Sequence, residues 1–70
     1  MFGRKPAPGR VRKNHVLRLI NLGMAETDAA DRDIDGPDFA RAKARFDEAV
    51  NEATQAEMSA AFDALRRNGY

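Results

Sequence analysis

The sequence predicts an all-α protein, a small three-helix bundle preceded by a flexible basic N-terminal arm. Three observations carry that prediction. Apolar residues recur at helical spacing in three separate stretches. A Gly36-Pro37 pair divides the first stretch from the second, and a Thr54-x-x-Glu57 box divides the second from the third. A chain of 70 residues has room for one domain and no second core. The expected organisation is an arm over residues 1–9 and one helical domain over 10–70, with helices over about 10–30, 37–53 and 55–68.

In the arm, Gly3, Pro6, Pro8 and Gly9 stand among positive charges and disfavour any helix. From Arg10 the pattern turns helical. Leu17, Ile20 and Met24 share one face, flanked by Lys13 and Val16, so Arg10, Arg12, Lys13 and Arg18 are expected to ride on the first helix. Gly23 reads either as a left-handed cap or as an interior glycine. The alanines and acids of 25–30 favour continuation to Ala30.

Asp31 to Pro37 is the clearest break in the chain. Asp35 or Gly36 suits the N-cap of the next helix, Pro37 its first turn, and Asp38 complements its dipole. Ile34 is expected to plug this turn into the core. The second helix carries one apolar stripe of Phe39, Ala42, Phe46, Ala49, Val50 and Ala53, with charged residues on its other faces.

Met58, Ala61, Phe62 and Leu65 form a further stripe, turned by roughly 100° from the Phe46–Val50 face if one helix ran on unbroken. A break near Thr54 accounts for the turn. The alternative is a two-helix hairpin with a long second helix, which would have to dimerise, because no Gly or Pro enforces the break. At the end of the chain, Asp63 can pair with Arg66 or Arg67, and Gly69 can cap the last helix.

The overall charge of +1 hides a separation. Residues 1–18 hold six basic side chains (Arg4, Lys5, Arg10, Arg12, Lys13 and Arg18) and no acid, whereas residues 19–63 hold eleven acids against four bases. Such a split suits an arm that seeks a polyanion, or one that folds back on its own body. The six basic residues are the candidate nucleic-acid contacts, without base specificity. Phe2 alone offers an aromatic ring near them, so stacking on single strands is not indicated. A helix-turn-helix reading would need the turn at Thr54, where acidic helix exteriors would repel a duplex.

Enzyme signatures are missing. His15 is the only histidine and Ser59 the only serine, the first without a nearby acid and the second without a glycine elbow. The expectation is a non-enzymatic protein with no small-molecule substrate. There is no cysteine, which excludes disulfides and thiolate metal sites. The longest apolar stretch, Val16 to Ala25, is short and holds Arg18, so no membrane span is expected and a cytoplasmic location is the default. The alanine- and arginine-rich, lysine-poor composition suits a GC-rich bacterial genome.

Asp31-x-Asp33-x-Asp35-Gly36 resembles the first half of an EF-hand calcium loop, in which short carboxylates and a turn-forming glycine wrap a hard cation. The resemblance stops there: Asp38 stands where an aliphatic residue belongs, and Ala42 where the bidentate glutamate belongs. It implies weak calcium binding at Asp31, Asp33 and Asp35 as the one cofactor candidate. The same aspartates otherwise serve to solvate a turn and favour a helix N-terminus.

The main functional expectation is a helical binding or regulatory accessory that acts through protein–protein contact. A core this thin leaves self-association as the natural extra source of stability, so the expected partner is a second copy or another protein. Leu22, Met24 and Tyr70 are the candidate contact residues.

Overall fold

A computed structural model describes residues 7–70. They form a three-helix bundle: α1 (Lys13–Asp33), α2 (Pro37–Glu52) and α3 (Gln55–Arg67), with no strand among the described residues. Contacts from Arg18 to Glu48 and Glu52, and from Gly23 toward Phe46, run α2 antiparallel to α1. Contacts from Arg12 to Glu57, Gly23 to Leu65 and Asp28 to Tyr70 run α3 parallel to α1. α1 is therefore the spine on which the other two helices pack.

Helix α1 is shorter at its start and longer at its end than its sequence pattern predicts. Residues 10–12 are not helical, and Arg12 is the N-cap in an extended conformation. At the other end α1 runs on through Asp31 to Asp33. Gly36 is the N-cap of α2, Pro37 opens the helix, and Asp38 lies in its first turn. The Gly36 N–H donates to the Asp33 carbonyl (3.0 Å). A Cβ at Gly36 would stand 2.7 Å from the Asp33 carboxylate and 3.2 Å from that carbonyl oxygen, so a larger residue there would have to displace the Asp33 side chain. Ile34 does not plug the turn into the core: it is 62 % exposed.

The break between α2 and α3 is real, and the long-helix hairpin is excluded. Ala53 and Thr54 are both extended. Thr54 Oγ1 accepts from the Glu57 N–H (3.1 Å), and the Glu57 carboxylate accepts from the Thr54 N–H (2.8 Å), a complete capping box. At the far end Gly69 adopts φ +86°, with its N–H on the Arg66 carbonyl and the Tyr70 N–H on the Leu65 carbonyl. These are the two bonds of a Schellman cap, and glycine is the residue that reaches this φ without strain.

The core is Leu19, Ala49, Ala53 and Ala61, with Val16, Ile20, Leu22, Phe46, Val50 and Met58 packed around it. Leu19 is the largest apolar side chain fully inside, yet the Leu17–Ile20–Met24 stripe omits it. Leu17 is 57 % exposed, so α1 is rotated from the face expected. Its true inner face follows Val16, Leu19 and Gly23, where Gly23 sits buried beneath Leu65 and Phe46. Alanines on α2 and α3 leave room for this close approach. Phe46 and Phe62 meet across the α2–α3 seam with ring centroids 6.2 Å apart.

Candidate functional site

Residues 1–6 of the expected arm lie outside the described residues; Pro8, Arg10 and Arg12 are bonded to the start of α3, and these bonds determine what part of the positive charge can do. Pro8 accepts from the Ala56 N–H (3.1 Å), an otherwise unpaired donor of α3's first turn. The Arg10 carbonyl accepts from Thr54 Oγ1 (2.5 Å). Arg12 then lies over Glu57, whose side chain is completely buried. Oε2 of Glu57 accepts from Arg12 Nε and from the Arg12 backbone N–H, both at 2.7 Å, and Oε1 accepts from Arg12 Nη2 at 2.9 Å.

These bonds hold the Glu57 carboxyl well below the usual carboxylate range; the Arg12 hydrogen bonds outweigh burial, which pushes the other way. Arg12 is raised in turn, chiefly by the same pairing. No buried side-chain donor or acceptor among the described residues lacks a partner.

The neighbouring basic side chains close the open end of α2. Arg12 Nη2 donates to the Glu52 carbonyl (2.9 Å), and His15 Nε2 donates to the Ala49 carbonyl (3.1 Å). Both acceptors belong to the last turn, whose carbonyls have no partner within the helix. Arg18 faces Glu52 at 3.4 Å and Glu48 at 3.7 Å.

Of the six basic residues proposed to meet nucleic acid, Arg12 and Arg18 are thus engaged within the chain, and Arg12 does not ride on α1. Arg10 and Lys13 are exposed, and Arg4 and Lys5 lie outside the described residues.

The aspartates of the calcium motif are exposed and do not form a loop around a common centre. Asp31 and Asp33 belong to the last turn of α1, and Asp33 Oδ1 accepts from the Asp35 N–H (3.2 Å). Among the described residues, no three His, Cys, Asp or Glu side chains are grouped to hold a metal ion.

The contact candidates also separate. Leu22 packs against the core and Met24 is half-buried. Tyr70 is exposed, its hydroxyl donates to Asp28 (3.3 Å), and the Asp28 charge raises its phenol. It closes one side of an open cleft of about 290 Å³ floored by Gly23, Phe46, Phe62 and Leu65.

A second groove, of about 310 Å³, lies on the opposite flank of α3 and is almost purely apolar. Val11, Val16, Leu17 and Ala60 line it, with Lys13 at its edge. Val11 is 52 % exposed, so two aliphatic side chains of this groove, Val11 and Leu17, are presented to solvent. The groove exists because α1 turns Leu19 inward. Once Leu19 occupies the core, Leu17 lies some 200° around the helix and must point out. The Val16–Leu19–Gly23 spacing, taken as the inner face, is the sequence signal that could have revealed it.

No helix among the described residues is long and apolar enough to cross a membrane. No family model, curated protein or solved structure matches the chain.

Proposed function

We propose that this protein is a non-enzymatic helical contact module that binds another protein chain through the Val11–Val16–Leu17–Ala60 groove. The observation behind this reading is the exposure of Val11 and Leu17 side by side in a groove with hardly any polar lining. Small soluble domains gain stability by burying such side chains, and an aliphatic groove with a charged rim is the usual anatomy of a contact surface. The three hydrogen bonds of Arg12 to Glu57 favour this reading over one centred on nucleic acid, because they withdraw one of the six basic groups from phosphate.

Photo-crosslinking in the cell tests the proposal. A benzophenone amino acid at position 17 is expected to yield defined protein adducts that are missing when the same group stands at Asn51, on the exposed face of α2. Identical adduct patterns at the two positions would remove the groove from consideration as a contact surface.

A further inference from the structure

We propose that the groove receives the α1–α2 turn of a second copy of this chain, with Ile34 as the inserted side chain. The inference rests on the contact reading of the groove and names its occupant.

The turn and the groove complement each other in shape. Among the described residues Ile34 is the most exposed of the large apolar side chains, standing on a tight turn braced by the Gly36–Asp33 hydrogen bond. A rigid projecting aliphatic side chain loses little conformational freedom on docking. The groove, at about 310 Å³, is ample for a branched aliphatic side chain, and Val11 and Leu17 offer apolar walls to it.

Charge complements shape. Ile34 is surrounded by Asp31, Asp33 and Asp35, with Arg32 as the one opposing charge in that run. The groove is edged by Lys13, and exposed Arg10 directly precedes Val11. Two grooves placed face to face would bring Lys13 and Arg10 of both copies together, and two turns would bring their aspartates together. Only groove against turn pairs opposite charges.

The two surfaces also lie apart on the molecule. The groove stands at the start of α1, and Ile34 follows that helix's last residue, so one copy cannot satisfy itself through this contact. The association is therefore head-to-tail and continues beyond two copies unless it closes into a ring.

Complementation of two broken copies tests this arrangement. Leu17→Glu spoils the groove and leaves the turn, and Ile34→Glu spoils the turn and leaves the groove. Both sites are exposed, so the helical circular dichroism of each variant should match the parent. In analytical ultracentrifugation the parent chain should exceed its monomer mass of 7.8 kDa progressively as concentration rises. Each variant alone should stay monomeric, and the equimolar mixture should form a one-to-one dimer and nothing larger.

Arg10→Glu with Lys13→Glu should weaken parent association at least tenfold. A parent that stays monomeric at millimolar concentration would overturn the inference, as would an Ile34→Glu variant that still associates, a mixture that stays monomeric, or indifference to the charge reversal. Defined adducts from position 17 to a different protein, with a monomeric parent, would leave the contact reading standing and remove only the second copy as occupant.

Discussion

Arg12 and Glu57 are 45 residues apart in sequence and share three hydrogen bonds, one of them from the Arg12 backbone. Glu57 is at once the third residue of α3's capping box and the anchor that holds the pre-helical segment in place. Removing its carboxylate leaves the Thr54 and Arg12 N–H groups without their acceptor. Glu57→Ala should therefore cost about 2 kcal/mol, the scale for leaving buried donors without their acceptor, since the Arg12 guanidinium can still reach water. Urea unfolding followed by circular dichroism measures it.

The same pair imposes a pH dependence. A carboxyl held lower in the folded chain than its ordinary 4.5 stabilises fully above that value. The stabilisation is lost as pH falls toward the folded-state value, because the unfolded chain takes up the proton first. Stability should decline from about pH 5 downward, and Glu57→Gln should flatten that decline while lowering stability at neutral pH. Thermal melts at a series of pH values distinguish the two curves.

Leu19 and Leu17 should respond oppositely to truncation. Leu19→Ala empties a fully buried site and should cost about 3 kcal/mol, whereas Leu17→Ala should stay within about 0.5 kcal/mol in monomeric protein. The reverse order in denaturant midpoints would contradict the rotation of α1.

Gly23 sets a size limit at the α1–α3 crossing. A Cβ there would stand 2.9 Å from Leu65 Cδ1 and 3.4 Å from the Phe46 ring. Gly23→Ala gains about 1 kcal/mol of helix propensity but must displace Leu65, so the two effects should nearly cancel. Gly23→Val adds bulk without that propensity gain and should lower the melting temperature clearly.

The basic residues divide into structural and free groups, and this can be read directly. Arg12→Ala should lower the melting temperature, and Arg10→Ala with Lys13→Ala should leave it unchanged. The contact reading further expects no binding of a random DNA duplex at micromolar protein and low salt, measured by fluorescence anisotropy. Deleting residues 1–13 is an unsuitable control for DNA contact, since it removes Arg12 from Glu57 and disturbs the fold itself.

Much of the fold was legible because its signals are local. Pro37 after Gly36, the Thr54–Glu57 box and Gly69 each act within a few residues, and each does in the structure what its chemistry implies. The face of α1 was not legible. Val16, Leu17, Leu19, Ile20 and Leu22 point all around the helix, so several stripes fit the pattern equally well. The candidate site inherited that ambiguity, because Leu17 lines a groove only if Leu19 is the core residue. Ile34 misled for a related reason: a single aliphatic residue in a polar turn reads as a plug, yet in the folded chain it is exposed.

The sequence by itself determined the three helices, the start of α2, both caps of α3 and the division of charge, since backbone propensity, capping and net charge depend on neighbours in the chain. Only the tertiary structure decided that Leu19 faces inward, and that Arg12 serves the buried Glu57 instead of solvent. Both outcomes depend on partners tens of residues away. Alanines 49, 53 and 61 set how closely the helices approach, and that spacing selects the one rotation of α1 that fills the core.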